Sequence, residues 1–588
     1  MDSVKAVSLS QDIDSLNTSE SAHQKTRSET FMAEKSRTGK VQVALAISSF
    51  RQPACVNRVI QGIIGSDFAD IALIVKYGTD ENPVKSSKNS PASPCGSLLW
   101  DVYFKWDNES ICPYSDPFDE VDIHSAIGSE CRVLSVEAFQ KDGQINLTEA
   151  DMTGIRENRL DVIIDLGNIP LARKLCGLAV YGVWTAGASY NSKFRKGPPG
   201  FWEVMDNEST TELTLQMSTS GKSCDTVLYR SWTATDMYSV KGNRSKVYWK
   251  LAKAIVRTLR NLYELGPGAL EKDPATPVII ESEPRDICPN NTQMAVFMAR
   301  MAMKRFRLWL KNYTRKEQWL LAYSINDIPI IERNLNELQY IEPPKGAFWA
   351  DPFPIEKDGK FFIFFEEFLY ESMKAHISVM EMDLNGSHKA PVKILERDYH
   401  LSYPFMFEWQ NDLFMIPETK GNRAIELYHC VEFPHKWEFV KALVEEVQAV
   451  DTTLFEKDGL WWLFCNIGGK DFASNDELNL FYSETPLGPW TPHRKNPVKS
   501  DVRSSRPAGR LFYRNGDLFR PAQDCSKRMG GAMCLNRVTS LTTKDFKEEL
   551  VTRIEPNWIK GLHGVHTLNT AGRLTMMDCF RYIPKSLA

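Results

Sequence analysis

The second half of the chain repeats one hydrophobic pattern five times. From about residue 347, each copy runs from a polar residue through an apolar strand, a tight turn and a second apolar strand to another polar residue. The turns fall at intervals of 53, 47, 57 and 56 residues, close to the period of propeller blades. We therefore predict a five-bladed β-propeller over 318–588, a ring of sheets around a central channel. The predicted turn dipeptides are Asp358-Gly359, Asn411-Asp412, Asp458-Gly459, Asn515-Gly516 and Ala571-Gly572.

A different pattern occupies residues 41–265. Apolar strands such as VQVALAIS, ADIALIVKYG and LDVIIDLGNIP alternate with helix-like segments, the last of which, at 244–264, ends before Gly266. This alternation predicts an α/β domain with a largely parallel sheet. The Pro- and Ser-rich stretch 81–120 is interpreted as an irregular insertion. Residues 1–40 are polar and without an apolar period, so we expect a disordered tail.

The segment 266–317 is predicted to be a linker followed by a basic amphipathic helix. In TQMAVFMARMAMKRFRLWLKN, four cations fall on one face at helical spacing, opposite Met, Phe, Leu and Trp. We expect this helix to pack its apolar face on the propeller. The alternative is a peripheral contact of 293–311 with a membrane surface or an acidic partner. The four cations are Arg300, Lys304, Arg307 and Lys311.

Composition and charge narrow the class of protein. The chain has 588 residues, 43% of them hydrophobic and 25% charged, as in ordinary globular proteins of several domains. A net charge of −4 argues against a general nucleic-acid binder. Twelve cysteines occur without a C-x-x-C pair or zinc-site spacing, so we expect reduced thiols and no metal. With no signal-peptide pattern and no bilayer-length apolar run, we expect a cytoplasmic protein.

Comparison of the five copies locates candidate functional residues at the ends of the apolar strands. Because the innermost strand of each blade lines the channel, residues at equivalent ends should surround one mouth. The structural alternatives are turn capping for the aspartates and pairing with nearby carboxylates for Arg506 and Arg520. Before the first strands stand Asp351, Tyr403, Asp451, Arg506 and His566, with His563 as an alternative to the last. After the second strands stand Glu366-Glu367, Glu418, Asn466, Gln523-Asp524 and Asp578.

Residues 181–230 resemble the tetrahydrofolate-dependent formyltransferases. The resemblance rests on Ser189, Arg195, Pro199, Trp202, the TLQM strand and Asp225. The family's catalysis uses an Asn, a His two residues later and a downstream Asp, which together polarise the formyl carbonyl and stabilise its oxyanion. Ungapped counting places Thr185, Gly187 and Lys222 at these positions.

The loss of these three groups implies a formyltransferase-like domain that survives as a binding or scaffolding module. The alternative is an active enzyme that uses other groups, such as Glu203, Asp206 or Asp225. We expect no cofactor, with formyl-tetrahydrofolate required only under this alternative.

The propeller half carries a more specific resemblance. WADPFPIEKDGKFFIFFEE, AVDTTLFEKDGLWWLF and GLHGVHTLN resemble the amino-terminal domain of plant glucosamine inositolphosphorylceramide transferases, over about 320–583. In that family a separate carboxy-terminal domain carries glycosyl transfer, so we do not expect this activity here. Five-bladed propellers of this kind also resemble glycoside hydrolases, which implies Asp351 as base or nucleophile and Asp451 as a second acidic group. Glu366, Glu367 or Glu418 would then be the general acid.

Together these patterns predict a multidomain α/β plus all-β protein with a sugar-related biosynthetic role. It would bind or modify a glycan, nucleotide sugar or glycosylated metabolite at the propeller mouth, as a transferase or a glycosidase-like enzyme. The alternatives are a formyl or acyl transferase acting on an amine, and a non-enzymatic binding or assembly module. The predicted catalytic residues are Asp351, Glu367, Asp451 and His566, and the predicted substrate-binding residues are Tyr403, Arg506, Arg520, Gln523 and Asp524.

Overall fold

The computed structural model describes most of the chain from residue 39 onward. The predicted tail lies outside the described residues except for its last two positions. The described ranges are 39–77, 97–109, 115–128, 131–136, 139–141, 144–166, 175–188, 198–220, 226–270, 288–328, 332, 334–469 and 474–586.

The amino-terminal domain is built on a seven-stranded sheet. Its strands and those beside it are β1 (Val41–Ile47), β2 (Arg51–Pro53), β3 (Ala69–Lys76), β4 (Glu120–Asp122), β5 (Val133–Ser135), β6 (Phe139–Lys141), β7 (Gln144–Asn146), β8 (Val162–Asp165), β9 (Val183–Ala188), β10 (Thr210–Ser218) and β11 (Thr226–Ala234). The sheet order is β11-β10-β9-β8-β1-β3-β5, and the five strands from β9 to β5 are parallel. The largely parallel α/β sheet is therefore present.

Helices cover both faces of this sheet, which explains why its central strands are apolar throughout. The helices are α1 (Ala54–Ile64), α2 (Leu98–Glu109), α3 (His124–Ile127), α4 (Glu149–Arg156), α5 (Phe201–Asp206), α6 (Val240–Leu265) and α7 (Asn291–Thr314). Helices α1 and α6 pack on one face of the sheet and α4 on the other. Gly266, with φ of 72°, ends α6 as predicted.

Two features differ from the sequence interpretation. Helix α2 lies inside the stretch 81–120 that we interpreted as irregular. It forms because Trp100 and Tyr103 bury their rings against Phe201 and Phe297. Helix α7 buries Met294, Phe297 and Met301 in this same cluster of the α/β domain rather than on the propeller.

The formyltransferase relation stays a prediction. Thr185 and Gly187 lie in β9, where they pair with Gln216 and Thr214 of β10. Ser189, Arg195, Lys222 and Asp225 lie outside the described residues.

The carboxy-terminal half is a five-bladed β-propeller, as predicted. Strands β12 (Arg315–Ile325) and β13 (Gln339–Ile341) precede the repeats. They are followed by β14 (Ala347–Lys357), β15 (Lys360–Leu369), β16 (Lys374–Asp383) and β17 (Val392–Leu395) in blade 1, and by β18 (Ser402–Trp409), β19 (Asp412–Glu418), β20 (Ala424–Glu432) and β21 (Lys436–Glu445) in blade 2. Blade 3 has β22 (Gln448–Lys457), β23 (Leu460–Gly468), β24 (Glu477–Ser483), β25 (Thr491–Pro492) and β26 (Lys499–Ser500). Blade 4 has β27 (Phe512–Arg514), β28 (Asp517–Asp524), β29 (Ala532–Leu541) and β30 (Phe546–Ile554).

Blade 5 is composite and closes the ring. Its carboxy-terminal strands are β31 (Leu562–Gly564), β32 (Leu568–Ala571) and β33 (Leu574–Pro584). Strand β12 pairs antiparallel with β33 along its whole length, from Arg315 opposite Pro584 to Ile325 opposite Leu574. The two ends of the propeller are therefore held in one sheet, which removes the open edges of both β12 and β33.

Three of the five predicted turns are where the sequence placed them, and two are displaced by one residue. Asp358-Gly359, Asp458-Gly459 and Asn515-Gly516 all have positive φ, as a tight hairpin turn requires. In blade 2 the turn is Gln410-Asn411, because Asp412 already pairs with Trp409 as the first residue of β19. In blade 5, Ala571 pairs with Leu574, so the turn is Gly572-Arg573.

The two domains meet through buried charged groups beside blade 3. Lys250 of α6 contacts Asp476 at 3.2 Å, and Arg257 binds both carboxylate oxygens of Glu477 at 3.0 and 3.2 Å. The Tyr229 hydroxyl also donates to Glu477. Burial alone would raise the pKa of Glu477, but Arg257 and Lys250 outweigh it and hold the pKa at about 2. These pairs join the α/β domain to the propeller.

Candidate functional site

The innermost strands of the first three blades share one irregularity. In each, the pairing register slips by one position just after the strand begins, which marks a β-bulge. Asp351, Tyr403 and Asp451 occupy the same place in these bulges, with φ of 52°, 45° and 51°. Left-handed backbone is rare for residues other than glycine, and for a tyrosine it is an outlier that the surrounding structure must hold. Three consecutive blades therefore present these residues in the same strained conformation.

Asp351 belongs to a buried cluster at the junction of blades 1 and 5. One of its oxygens accepts from the Thr567 hydroxyl at 2.5 Å, and the other from the Tyr403 amide at 3.2 Å. The His566 Nδ1 lies 2.6 Å from Asp578 and 3.8 Å from Asp351. The His566 ring stacks on Trp319 of β12 at 4.1 Å. Strand β12 thus helps to position the imidazole.

Asp451 is the centre of a second cluster. Arg506 binds its carboxylate through Nε at 2.5 Å and Nη2 at 3.1 Å, and the Gln523 amide donates to it at 2.7 Å. The remaining guanidinium nitrogen of Arg506 donates to Asn475 at 2.8 Å. A guanidinium bound at both ends in this way is fixed in direction. The sequence-predicted residues Asp451, Arg506 and Gln523 are therefore in direct contact.

Tyr403 lies between these clusters. Its amide donates to Asp351, while its hydroxyl contacts the Thr453 hydroxyl at 2.8 Å and accepts from the Gly509 amide at 2.7 Å. The side chain is fully buried. Tyr403 therefore connects the inner strands of neighbouring blades through hydrogen bonds, and its ring is not open to solvent.

The second strands place three more polar residues at one register. Glu366, Glu418 and Asn466 pair with Ala350, Ser402 and Val450, the residues just before the bulges. Glu366 lies 3.2 Å from the half-exposed His400. Two of the three side chains are not satisfied: the Glu418 Oε2 atom and both amide atoms of Asn466 are buried without a hydrogen-bond partner among the described residues.

Burial and neighbouring charges raise the pKa values of three groups of this site, and two carboxyls among them come close to 7. Burial raises the pKa of Glu418 to about 8, an effect to which Asp451 adds and which Arg506 opposes. Burial also raises the pKa of Asp351 to about 7, against the opposing charge of His566. Burial would lower the pKa of His566, but Asp578 and Asp351 outweigh it and raise the pKa to about 9. Groups with pKa values near 7 can both donate and accept protons in a reaction.

One group within the described ranges has the spacing of a metal site. Ligand atoms of Asp351, His566 and Asp578 lie within 4.8 Å of one another. Their oxygens are already used, because Asp578 accepts from the amides of Asp351, His566 and Thr567, and Asp351 accepts from Thr567 and Tyr403. The cluster is thus satisfied by hydrogen bonds without a cation.

Four other candidates lie outside these clusters. Glu367 alternates with Glu366 and binds Trp349, His376 and Ser378. Arg520 pairs with Glu548, and Asp524 pairs with Arg553. His563 stacks near Phe580 and Tyr582. Adjacent residues of a strand face opposite sides of the sheet, so the side chains of Glu366 and Glu367 point to different sides of blade 1.

Residues 337–570 match the family model described as glucosamine inositolphosphorylceramide transferase 1, N-terminal. A relative named glucosamine inositolphosphorylceramide transferase 1 from Oryza sativa subsp. japonica is 36% identical over 205 residues. The protein of the same name from Arabidopsis thaliana is 32% identical over the same length. Each alignment covers 34% of this chain and 27% of the relative. The chain therefore spans about a quarter of the length of these relatives.

Solved structures also align, at low similarity. A thermostable family-43 glycoside hydrolase shares 13% identity over 38% of this chain and 84% of that chain, with a TM-score of 0.29. A family 117 glycoside hydrolase from Zobellia galactanivorans shares 10% identity, with a TM-score of 0.30 over 45% of this chain. Scores this low support no conclusion about the site.

Several contributors to the clusters were not found by sequence reasoning. Trp319 lies in β12, before the first recognisable repeat, so the repeat comparison could not include it. Asn475 lies in the loop between β23 and β24, away from the compared strand ends. Thr567 directly follows His566, and the sequence comparison selected the histidine at this position because only the histidine can carry a charge.

Replacing Glu418 with glutamine should flatten the dependence of stability on pH. A carboxyl with a raised folded-state pKa stabilises the protein below its ordinary pKa of about 4.5, and this contribution is lost as pH rises through about 8. Glu418→Gln cannot ionise, so at pH 8.5 it should be more stable than the parent by at least about 1 kcal/mol, and near pH 5 nearly equal. Thermal unfolding from pH 5 to 8.5 measures this. The exposed Glu456→Gln is the control, and parallel curves for Glu418→Gln and the parent would contradict the prediction.

Proposed function

We propose that the propeller mouth binds a sugar-containing ligand, such as a glycan, a nucleotide sugar or a glycosylated metabolite, in a sugar-related biosynthetic role. The matched relatives are named for a glucosamine transferase, and the match covers 337–570, which includes all four complete blades. Because the alignment covers only 27% of each relative, we do not assign the activity of the whole relative to this chain. The proposal concerns the mouth alone.

The observation that carries the proposal is the set of buried polar atoms on one register of the ring that have no hydrogen-bond partner among the described residues, although Arg506 Nη2 lies 3.9 Å from Glu418 Oε2. Glu418 and Asn466 together bury three such atoms, beside the Asp451–Arg506 pair. A buried polar atom without a partner costs about 1–3 kcal/mol, so its persistence calls for a role. Hydroxyl groups both donate and accept hydrogen bonds, and they match a carboxyl next to an amide. A polyhydroxylated ligand is the chemical class that such a surface would recognise.

The same mouth has groups suited to proton transfer, should the bound sugar be transformed. We assign the role of general acid to Glu418 instead of Glu367, because Glu418 is protonated near neutral pH and lies beside Asp451. Asp351 remains the proposed base or nucleophile, and His566 positions it from blade 5. Arg506 and Gln523 would position the ligand through Asp451, and the buried Tyr403 would act indirectly, by holding the backbone between Asp351 and Gly509.

Asp451→Asn should weaken ligand binding at least about tenfold, because the loss of a charged hydrogen-bond acceptor costs about 1.5–3 kcal/mol. Asn466→Ala should weaken binding similarly with little loss of stability, since it removes a group that has no partner in the folded protein. Isothermal titration and thermal shift with UDP-N-acetylglucosamine, glucosamine and a short oligosaccharide as probes would measure both effects. Reduced formyl-folate belongs in the same panel.

The matched control is Asp458→Asn, the same change at a turn of the same blade whose side chain is 79% exposed. It should leave binding unchanged. If none of the sugar probes binds the parent protein, or if Asp451→Asn and Asp458→Asn bind alike, the mouth is not the sugar site. Stabilisation by formyl-folate alone would instead favour the alternative of formyl or acyl transfer.

A further inference from the structure

The second half of helix α7 exposes large apolar side chains. Met303, Phe306, Leu310 and Tyr313 follow one another at helical spacing and are 44–68% exposed, and Trp309 beside them is 58% exposed. The three aromatic rings stack in sequence, Phe306 on Trp309 at 5.9 Å and Trp309 on Tyr313 at 5.5 Å. The buried contacts of α7 are made by residues of its first half. An ordered aromatic surface of this kind marks an interaction site.

Cations border this apolar surface on both sides. Arg300, Lys304 and Arg307 form a neighbouring stripe, and Arg305 lies on the other side, over the ring of Trp106 at 4.2 Å. The stretch 291–316 contains no Asp or Glu. Within the described part of the chain, neither Arg300 nor Arg307 forms an ion pair. Arg305 pairs with Asp107 at 3.7 Å, so the positive charge that the surroundings leave unpaired lies on the side of Arg300 and Arg307.

The cationic stripe also lines a groove. Arg300, Lys304 and Arg307 of α7 face Met205, Asp206 and Asn207 at the end of α5 across a space of about 410 Å³. Lys304 donates to the Asn207 side chain at 2.9 Å. Burial and the adjacent Arg300 lower the pKa of Lys304. The α7 wall of the groove thus carries three cations, against the single carboxylate of Asp206 on the facing wall.

We propose that α7 docks this protein on an anionic phospholipid membrane. The helix lies along the surface, with Phe306, Trp309 and Tyr313 inserted at the level of the headgroups. Lipid phosphates contact the cationic stripe and occupy its groove. This proposal does not depend on the ligand of the propeller mouth.

Two observations favour a membrane over an acidic protein. Aromatic and methionine side chains flanked by cations are the composition of helices that lie in the membrane interface, where Trp and Tyr are enriched. An acidic partner would satisfy the cations but would leave the exposed apolar stripe beside them unburied. No helix in the described ranges is long and apolar enough to cross a membrane, so the contact would be peripheral.

Co-sedimentation with vesicles tests the proposal on the full chain. The protein should bind phosphatidylcholine vesicles that contain about one-third phosphatidylserine, and should bind pure phosphatidylcholine weakly. Arg300→Gln/Arg307→Gln should weaken this binding about 25-fold, since each cation near an anionic surface contributes about fivefold. Phe306→Ser/Tyr313→Ser should weaken it at least tenfold at both low and high salt, whereas the charge variant should differ from the parent mainly at low salt.

Matched variants on the propeller provide the controls. Phe439→Ser/Tyr513→Ser removes two aromatic rings of similar exposure, and Lys544→Gln/Lys560→Gln removes two exposed cations. Both should bind vesicles like the parent, and circular dichroism should show all variants folded. Equal binding by the α7 variants and their controls would overturn the proposal. So would binding to heparin, a soluble polyanion, without binding to anionic vesicles, because that result would identify an acidic macromolecule as the partner.

Discussion

Arg520→Met is expected to destabilise the propeller by about 3–5 kcal/mol, the usual cost of removing one partner from a buried ion pair. Arg520 is fully buried and binds both oxygens of Glu548 at 2.6 and 2.7 Å. It also donates to the carbonyls of Ser504 and Ser505. Without it, a buried carboxylate keeps only Lys499, and two carbonyls lose their donor. The unfolding midpoint of the propeller should fall by about 10 °C.

The same blade offers a matched comparison. Arg537 and Glu549 also form a close pair, but their side chains are 42% and 53% exposed. Arg537→Met should therefore cost less than about 1 kcal/mol. The double variant Arg520→Met/Glu548→Leu should recover much of the lost stability, because the charge that it leaves without a partner, Lys499, is 21% exposed and can reach water. If Arg520→Met and Arg537→Met lower the free energy of unfolding by the same amount, burial does not determine how much these ion pairs stabilise the propeller.

A propeller that begins at residue 337, where the family match begins, is expected not to fold. It lacks β12, which pairs with β33 over all eleven of its residues and buries Leu320, Leu321 and Ala322. Without β12, the ring has an open apolar edge along β33, which favours aggregation. A propeller spanning 312–586 should instead be monomeric and unfold in one cooperative transition. Gel filtration and thermal unfolding of the two proteins make the comparison.

The control for chain length is a protein spanning 326–586, which restores residues 326–336 but not β12. It should behave like the shorter protein, since the closure depends on β12 and not on length. If the protein that begins at 337 unfolds cooperatively at the midpoint of the 312–586 protein, closure by β12 is not needed for stability.

The propeller could be predicted from the sequence because the residue types at its turns identify the turns without any knowledge of distant contacts. Asp-Gly and Asn-Gly pairs favour left-handed backbone at both turn positions, and they occur at a blade-like period between apolar strands. Where that chemistry is weaker, as at Gln410-Asn411, the prediction was displaced by one residue. The parallel sheet was predictable for a similar reason, because strands covered on both faces are apolar at every position.

Features that depend on distant contacts could not be read from the pattern. Strand β12 lies before the repeats, and the strand that it pairs with in the ring, β33, comes more than two hundred residues later. Helix α2 lies in a Pro- and Ser-rich stretch and is held by rings from α5 and α7. The choice between Glu366 and Glu367 depends on the register of one strand, which neighbouring carboxylates in a sequence do not reveal.

The loop between β23 and β24 of blade 3 links the propeller mouth to the other domain. Asn475 receives a hydrogen bond from Arg506 at the mouth, and the next two residues, Asp476 and Glu477, hold Lys250 and Arg257 of the other domain. Three consecutive residues of this loop and the strand after it therefore contact both the propeller mouth and the α/β domain. A ligand that displaced Arg506 from Asn475 would act one residue away from the ion pairs that hold the α/β domain.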